Sequence, residues 1–179
     1  MHYVFILNPK AGNGYAAKQR RRIESVLQKH EVSYTFVETI SPGHAEELAF
    51  RYGESADVVV AIGGDGTVHE VGCGLIKGGC KAALGVLPLG TGNDYAKMLK
   101  LPKKLEPAIL ALIQTPVSVM ADFGRLTIQE NVGKKVVDFI NQAGIGFEAQ
   151  AAHLASRLKM IPGKTLPYLV AVLRTLRKW

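Results

Sequence analysis

The segment VVVAIGGDGTVHEV, residues 58–71, changes in character at its centre. Its first five residues are apolar and small or branched, which is typical of a strand that is buried on both faces. A glycine-rich turn follows, and apolar residues then recur at helical spacing over residues 67–76. The segment therefore predicts a strand, a polar loop at the carboxyl end of that strand, and a helix.

The same unit recurs along the first hundred residues. Strands are predicted over residues 3–7, 33–38, 58–62 and 83–87, with helices over residues 16–29, 44–52 and 67–76 and from Asp94. Ser41 and Pro42 are predicted to be the N-cap and the first helical residue of the second helix. Strands that alternate with helices predict an α/β fold with a doubly wound, mostly parallel sheet, whose ligands bind beyond the carboxyl ends of the strands.

The pattern changes after an amphipathic stretch at residues 105–114. Thr115 and Pro116 mark a boundary, so the predicted domains are residues 1–115 and residues 116–179. In the second domain strands are predicted over residues 117–121, 126–129 and 135–140, and the last two are joined around residues 130–133, which favours antiparallel pairing. The residues that follow are too few to close a β-rich sandwich or barrel, so we expect the chain to be cut short.

Composition excludes several classes of protein. Apolar residues make up 47% of the 179 residues, which is too many for a disordered chain, and two cysteines, Cys73 and Cys80, are too few for a disulfide scaffold. No apolar run approaches the roughly 20 residues that span a bilayer, and residues 1–7 do not resemble an export signal. We therefore expect a cytosolic protein with free thiols.

The net charge of +7 is concentrated near the end of the sequence. Residues 149–179 contain six bases and no acid, whereas residues 1–148 contain 16 bases and 15 acids. This distribution argues against a nucleic-acid-binding protein, which spreads its bases over one face of the folded body. Leucines at helical spacing over residues 166–176 indicate an amphipathic helix that either meets an anionic membrane or packs on further parts of the second domain.

Glycine-bearing loops follow three of the predicted strands, at residues 8–14, 63–67 and 88–94. All three should lie at one edge of the sheet, where glycines allow positive φ angles and let backbone N–H groups approach an anion. The helices that follow present the positive ends of their dipoles at the same edge. Three such loops together predict a polyphosphate site.

Asp65 and Asp94 occupy equivalent places in the second and third loops, and each lies close to a threonine, Thr67 or Thr91. A carboxylate repels phosphate unless a divalent cation lies between them, and Mg²⁺ binds through one or two carboxylates together with phosphate oxygens. The alternative is that each aspartate caps the helix that follows it. The chain has no G-x-x-x-x-G-K-[ST] loop, which excludes a P-loop nucleotidase and leaves metal, helix termini and backbone to supply positive charge.

Three motifs carry a family resemblance: GGDGTVHEV at residues 63–71, LPLGTGNDYA at residues 87–96, and Asn8-Pro9 followed by Gly12. Together they closely resemble the catalytic domain of the diacylglycerol kinase family, and in particular its bacterial lipid kinases. Sphingosine, ceramide and NAD kinases are related families, and the second motif favours the lipid branch. Asp122, Asn141 and residues 144–147 also resemble the start of the family's second domain.

The resemblance implies ATP-dependent, Mg²⁺-assisted phosphorylation of the hydroxyl of diacylglycerol or a similar lipid, with ATP bound between two domains. Residues 1–115 would then be the nucleotide-binding kinase domain, and residues 116–179 the beginning of the lipid-side domain. The expected partners are ATP, the lipid, the anionic inner face of a membrane and a second copy of the chain. No nucleic acid is expected.

The resemblance also assigns roles by position. Asp65 and Asp94 would be the catalytic pair that organises Mg²⁺ and the phosphates, and His69 is expected to hold its loop rather than to act as an acid or base. Thr39 would help to hold the nucleotide, and Asn8 would brace the first loop together with Gly12. The remaining residues expected around the nucleotide phosphates are Gly63, Gly64, Gly66, Thr67, Val68, Gly90, Thr91, Gly92 and Asn93.

One departure from the family pattern bears on catalysis. In these kinases the second domain continues to an Asp-Gly-Glu segment whose carboxylates are thought to activate the lipid hydroxyl, whereas the only Asp-Gly pair in this sequence is Asp65-Gly66. A general base must reach the proton that it removes. We therefore expect this chain to bind nucleotide more readily than it catalyses, as a truncated gene product, a fragment or half of a split protein. A non-catalytic nucleotide-binding module is the first alternative.

A second alternative comes from residues 12–17, which fit the G-x-G-x-x-A fingerprint of dinucleotide-binding oxidoreductases. Glu38 ends the second strand, where an acid that binds ribose would lie. However, that fingerprint places its first glycine immediately after the strand, whereas four residues intervene here, and it leaves Asp65 and Asp94 without a role. The sequence therefore favours the kinase.

Overall fold

The computed structural model describes residues 1–79, 81–114, 118–130, 133–158 and 166–177. Its strands are β1 (His2–Leu7), β2 (Ser33–Glu38), β3 (Val58–Gly63), β4 (Ala83–Pro88), β5 (Gly124–Gln129) and β6 (Lys134–Phe139). Its helices are α1 (Tyr15–Lys29), α2 (His44–Tyr52), α3 (Asp65–Lys77), α4 (Asp94–Met98), α5 (Leu105–Gln114), α6 (Phe147–Arg157) and α7 (Leu166–Leu176). These elements form two compact units, Met1–Asn141 and Gln142–Trp179. Within the described ranges, none of the helices has the length and apolar character needed to cross a membrane.

A parallel sheet with the strand order β2-β1-β3-β4 is the centre of the first unit. Its two middle strands, β1 and β3, are almost wholly buried because helices cover both faces of the sheet. In the pairing register, Leu7 lies opposite Ile62, and Gly63 lies opposite Pro88. The strands therefore end together, and the loops that follow them emerge at one edge. The predicted α/β fold with a mostly parallel sheet is confirmed.

Alternate residues of β1 pack on opposite helical layers. Phe5 and Leu7 share a core with Ile23 of α1 and with residues of α5, whereas Val4 and Ile6 share a core with α2 and α3. Burial of one such side chain contributes about 1.5–3 kcal/mol to stability. The sheet is thus sandwiched between one layer that contains α1 and α5 and another that contains α2 and α3.

The strands β5 and β6 form an antiparallel hairpin in the first unit, which confirms the pairing predicted for residues 126–129 and 135–140. Arg125 donates from Nε and Nη2 to the two carboxylate oxygens of Asp138, at 2.6 and 2.9 Å. The hairpin also contacts α3, since the Cys73 thiol donates a hydrogen bond to the backbone oxygen of Asp138 at 3.2 Å. Gly72 of the same helix lies against Ile140, where an added Cβ would overlap the isoleucine side chain.

Two local predictions are wrong. Residues 118–121 form no strand, because they pair with none of the described strands, and Val119 and Met120 are exposed. Helix α2 begins at His44 rather than at Pro42, since Gly43 takes the N-cap position with a φ of 82°. That left-handed conformation is open to glycine at little cost, so no serine cap is needed.

Helices α6 and α7 of the second unit pack against each other. Helix α7 lies where the leucine spacing predicts a helix, and its buried residues are Ala171 and Thr175, while the side chains of Leu166, Leu169 and Leu173 are exposed. Residues 80, 115–117, 131–132, 159–165 and 178–179 lie outside the described part, and with them Cys80 and the predicted boundary at Thr115 and Pro116. The division into domains at that boundary stays a prediction.

Candidate functional site

The loops that follow β1, β3 and β4 are in direct contact at the carboxyl edge of the sheet. Gly64 and Gly90 approach so closely that a Cβ added at Gly64 would lie 3.2 Å from the Gly90 Cα, and one added at Gly90 would overlap Gly64. Gly12, with a φ of 58°, lies against the Leu89 backbone, where an added Cβ would be 2.6 Å from the carbonyl oxygen. The glycines of three separate loops thus allow the loops to pack together.

The expected positive φ angles occur in only part of these loops. Gly12 and Gly14 have positive φ, whereas Gly63, Gly64, Gly66, Gly90 and Gly92 do not. Gly63 and Gly90 are needed because a larger residue would not fit. An added Cβ would meet the Thr67 side chain at Gly63 and the Gly64 backbone at Gly90. The residue with positive φ in the third loop is Asn93, at 56°. Its backbone conformation is one that asparagine tolerates better than most residues.

A cavity of about 350 Å³ opens beside these loops. This volume lies within the range of small-molecule sites. Eight residues predicted for the site line it: Asn8, Gly12, Thr39, Gly64, Gly66, Thr67, Gly90 and Thr91. The structure therefore brings together residues from the ends of all four parallel strands.

Asn8 and Thr67 connect the first loop to the start of α3. Asn8 Nδ2 donates a hydrogen bond to Thr67 Oγ1 at 3.1 Å, and Asn8 Oδ1 accepts one from the backbone N–H of Lys10 at 3.0 Å. Thr67 is buried, with 4% of its surface exposed, and its backbone N–H donates to the Gly64 oxygen. Asn8 thus holds its own loop and the first turn of α3 in one arrangement.

The carboxylates of Asp65 and Asp94 converge on Gly92. A Cβ added at Gly92 would lie 2.8 Å from Asp65 Oδ2 and 3.4 Å from Asp94 Oδ2. Asp65 Oδ1 accepts a hydrogen bond from the backbone N–H of Tyr95 at 3.1 Å, and Asp94 Oδ1 accepts one from Lys97 Nζ at 2.8 Å. The N-cap residues of α3 and α4 are Gly64 and Asn93, so neither aspartate is the N-cap of the helix that follows it. Asp65 instead binds the start of the other helix.

The predicted residues Gly63, Val68, His69 and Asn93 do not line the cavity. Val68 is buried in the core between the sheet and the α2 and α3 helices. Asn93 holds the third loop, because its Oδ1 accepts from the Gly90 N–H and its Nδ2 donates to the Gly90 oxygen, both at 3.0 Å. His69 lies one helical turn from Cys73, with ring nitrogens 3.8 Å from the sulfur. Asp65, Gly92 and Asp94 lie beside the cavity rather than in its wall.

Burial affects two ionisable groups near these elements. It raises the pKa of the Cys73 thiol, with nearby carboxylates adding to the effect. It also raises the pKa of the Tyr95 hydroxyl. Both groups are therefore held in their neutral forms at neutral pH.

Seven residues that line the cavity were missed as site residues by the sequence reasoning: Lys10, Ala11, Ile40, Ser41, Pro42, Ala45 and Glu70. Glu70 Oε2 accepts a hydrogen bond from the Ala45 N–H at 3.2 Å, so α3 supplies the acceptor for the start of α2. The signal available for Glu70 is its position three residues after Thr67, which places both on one side of α3. For Lys10 the signal is its place inside the first glycine loop.

Comparison with known proteins agrees with these motifs. The family model of the diacylglycerol kinase catalytic domain matches residues 2–126. A protein of Klebsiella pneumoniae strain 342 named "Probable lipid kinase YegS-like" is 40% identical over 146 residues, which is 80% of this chain and 45% of the relative. "Diacylglycerol kinase" of Bacillus subtilis strain 168 is 32% identical over 172 residues, which is 92% of this chain and 52% of the relative. The chain thus spans about half the length of the curated relatives that it matches.

Solved structures support the fold. The crystal structure of a diacylglycerol kinase from Bacillus anthracis superposes with a TM-score of 0.58 at 24% identity, over 70% of this chain and 41% of that one. The oxidoreductase alternative for residues 12–17 is wrong, since the family match includes these residues and Gly12 packs on the third glycine loop. The chain belongs to the diacylglycerol kinase catalytic domain family.

Proposed function

We propose that this chain binds ATP with Mg²⁺ in the cavity at the carboxyl edge of the sheet and transfers the γ-phosphate to the hydroxyl of diacylglycerol or a similar lipid. The observation that carries the proposal is the junction of the three glycine loops. There the cavity adjoins the point at Gly92 on which the Asp65 and Asp94 carboxylates converge. The names of the relatives, a lipid kinase and a diacylglycerol kinase, support the class of acceptor.

The donors in the cavity wall suit a nucleoside triphosphate. The backbone N–H groups of Gly64 and Gly66 lie at the start of the 13-residue helix α3, where a helix attracts anions such as phosphate. The ammonium of Lys10 can attract phosphate oxygens as well. The hydroxyls of Thr39 and Thr91 can donate to the same oxygens. Apolar side chains in the wall offer contact area for a base: Ala11, Ile40, Pro42 and Ala45.

The two carboxylates suit a magnesium ion that is shared with phosphate. Among the described residues no group of three or more His, Cys, Asp or Glu side chains could hold a metal by itself. Mg²⁺ commonly binds through one or two carboxylates and takes its other ligands from phosphates and water. We therefore assign Asp65 and Asp94 to this ion, which would offset the negative charge of the phosphates during transfer.

The proposed reaction is an in-line displacement. The oxygen of the lipid hydroxyl forms a bond to the γ-phosphorus, the bond from that phosphorus to the β–γ bridging oxygen breaks, and ADP leaves. The hydroxyl proton passes to a base or to solvent. The contribution of this chain is to hold the triphosphate between loops that are themselves fixed, since positioning and charge stabilisation supply most of the rate in such transfers.

A second candidate function is nucleotide binding without transfer. The specific observation in its favour is that, among the described residues, no third potential metal ligand joins Asp65 and Asp94 where they converge. The other acid of the cavity wall, Glu70, accepts a hydrogen bond from the Ala45 N–H. Binding of the nucleotide requires only the loops and the cation, whereas transfer also requires a group that takes the hydroxyl proton.

Two measurements made in parallel distinguish these functions. ADP release is followed with Mg-ATP and dispersed diacylglycerol, and nucleotide binding is followed by the fluorescence of a labelled ATP analogue. The proposed kinase predicts lipid-dependent ADP release that Asp65→Asn and Asp94→Asn each lower by more than about 100-fold, beyond the loss typical of outer-shell metal partners. Glu47→Gln, an exposed acid of α2, is the matched control and should leave turnover unchanged. Nucleotide binding without any turnover would favour the second function, and the absence of both nucleotide binding and ADP release would contradict both functions.

A further inference from the structure

Four consecutive residues between β2 and α2 line the cavity, and we call them the wall segment: Thr39, Ile40, Ser41 and Pro42. The last three are exposed, and Ile40 has 79% of its surface open to solvent. Segments with few buried apolar contacts open locally at a low cost in free energy. The arrangement of the wall segment therefore depends on its hydrogen bonds.

These hydrogen bonds connect the wall segment to β1 and to α2. The Thr39 N–H donates to the Leu7 backbone oxygen at 2.9 Å, which continues the pairing of β2 with β1. The Ile40 N–H donates to Nδ1 of His44 at 3.1 Å, and the His44 N–H donates to the Ser41 oxygen at 3.3 Å. The Ile40 N–H thus has a side chain rather than the backbone as its acceptor.

His44 lies beside the cavity rather than in its wall. It is the half-buried first residue of α2, and the residues that line the cavity include its neighbour Ala45 but not His44 itself. The Ala45 N–H donates to Glu70 Oε2 at 3.2 Å, so α3 fixes the start of α2 from another side. The imidazole ring is therefore carried by a fixed helix end and can hold the more exposed wall segment in place.

The hydrogen bond from Ile40 requires the neutral form of His44. A neutral imidazole has one nitrogen with a lone pair that can accept and one nitrogen that carries a proton, whereas the protonated ring has two donors and no acceptor. Because the Ile40 N–H is a donor, Nδ1 is the accepting nitrogen and Nε2 carries the proton. A proton added at Nδ1 would remove the acceptor and bring two N–H groups against each other.

We infer that His44 is a positioning residue for the nucleotide site, whose neutral ring fixes the wall segment and whose protonation releases it. The inference rests on the proposed function, which assigns to the nucleotide the Thr39 hydroxyl and the apolar contacts of Ile40 and Pro42. Histidine is the side chain whose charge ordinarily changes between about pH 5 and 8. Nucleotide should therefore bind less tightly at the acidic end of this range.

Charged groups around the start of α2 come from three elements. Glu46 and Glu47 follow on the helix itself, Glu70 extends from α3, and Lys10 lies in the cavity wall on the first glycine loop. Both glutamates of α2 form ion pairs with basic side chains. A bound triphosphate would attract a protonated ring, so a purely electrostatic role for His44 predicts tighter binding at acidic pH. The two roles thus predict opposite pH dependences.

The test measures the affinity for a fluorescent ATP analogue with Mg²⁺ at about pH 5 and about pH 8, the ends of the ordinary histidine range. His44→Asn places an amide oxygen where Nδ1 lies and does not titrate, whereas His44→Ala removes the acceptor. His30→Asn and His30→Ala are the matched controls and should behave as the unmodified chain, since His30 follows the end of α1 that is remote from the glycine loops. Circular dichroism checks that all variants remain folded.

Relative to His44→Asn, the unmodified chain should lose about 3–10-fold in affinity from the basic to the acidic end of the range, as expected for one hydrogen bond. His44→Ala should bind more weakly than His44→Asn by a similar factor at both ends. Protonation of the ligand affects every form alike and cancels in these ratios. Equal pH dependence in the unmodified chain and His44→Asn would overturn the inference, and so would tighter binding of the unmodified chain at acidic pH.

A second measurement needs no nucleotide. Amide hydrogen exchange of Ile40 reports its bond to His44, and exchange of Thr39, whose acceptor is the Leu7 oxygen, is the internal reference. His44→Ala should raise the exchange rate of Ile40 relative to Thr39 on the order of 10-fold, and His44→Asn should leave it unchanged.

The two measurements separate the inference from the proposed function. If no form of the chain binds nucleotide while exchange at Ile40 still depends on His44, the proposed function fails and the control of the wall segment by His44 stands. If both variants bind nucleotide as the unmodified chain does at both pH values, the inference fails and the proposed function stands.

Discussion

Asp65, the first residue of α3, accepts a hydrogen bond through Oδ1 from the backbone N–H of Tyr95 in the first turn of α4, at 3.1 Å. Its second oxygen, Oδ2, faces Gly92 together with Oδ2 of Asp94. One carboxylate thus has a structural role through one oxygen and is free to bind a cation through the other. A substitution that keeps one oxygen acceptor and removes the negative charge can therefore distinguish the structural role from cation binding.

Asp65→Asn keeps an amide oxygen for the Tyr95 N–H, whereas Asp65→Ala removes it. We expect Asn to change the free energy of unfolding by less than about 0.5 kcal/mol and Ala to lower it by about 0.5–2 kcal/mol, the usual range for loss of a helix-terminus acceptor. Urea unfolding measures both values. Both variants should lose Mg²⁺-dependent nucleotide binding, so equal unfolding energies for the two would contradict the structural role.

Gly90→Ala tests the contact between the second and third glycine loops. An added methyl group would overlap Gly64, so we expect a loss of about 1–3 kcal/mol in the free energy of unfolding, as for other overpacked sites. Gly66→Ala is the matched control, because nothing lies within 4 Å of its added Cβ and its φ is not positive. Alanine is the better helix former, so the control should be unchanged or slightly more stable. Thermal unfolding of the pair measures the difference, and equal melting temperatures would contradict the close contact.

Thr67→Val removes the hydroxyl that accepts from Asn8 Nδ2 while retaining the shape of a buried side chain. The amide of Asn8 then loses a partner, and we expect the free energy of unfolding to fall by about 1–3 kcal/mol. Thr91→Val, at an exposed threonine in the same cavity wall, should cost less than about 0.5 kcal/mol. Guanidinium unfolding of the two variants is the measurement. A larger effect at Thr91 would show that the Asn8 bond is not important for stability.

The Arg125 guanidinium hydrogen-bonds to both oxygens of Asp138 and holds the pKa of that carboxyl below its ordinary value of 3.8. Because the pKa is lower in the folded chain than in the unfolded one, the pair stabilises the hairpin above pH 3.8, and this contribution is lost as the pH falls through the lowered pKa. A carboxyl NMR titration should show that Arg125→Gln returns the pKa towards 3.8. An unchanged titration in the variant would remove Arg125 as the cause.

Most of the sheet could be predicted from local sequence. The branched run of β3 and the apolar run of β1 are buried on both faces, so their composition alone indicates central parallel strands, and the meeting of the glycine loops at one edge follows from their positions. The two wrong predictions concern features that depend on neighbouring residues or neighbouring strands. Gly43 rather than Ser41 caps α2, and residues 118–121 lack a partner strand, which propensity alone does not reveal.

Most of the cavity residues that were predicted lie inside the sequence motifs that mark the loops. Asn8, Thr67 and Thr91 belong to loops whose grouping follows from the alternation of strands and helices. Glu70 contacts the backbone of Ala45, 25 residues earlier in the chain, and that contact depends on how α2 packs on α3. Val68 shows the converse, since a place inside the phosphate motif suggested a ligand contact while helical geometry turns its side chain into the core.

Helix α3 contacts β6 through Cys73 and Gly72 and carries Asp65 at its other end. A helix of 13 residues is about 20 Å long and behaves as a stiff rod. Ile140 directly follows β6, and Gly72 leaves no gap between α3 and the side chain of Ile140. A displacement of β6 would therefore tilt α3, because no loose packing is present to absorb it. A movement of the hairpin would therefore be transmitted along α3 and would shift the Asp65 carboxylate at the start of that helix.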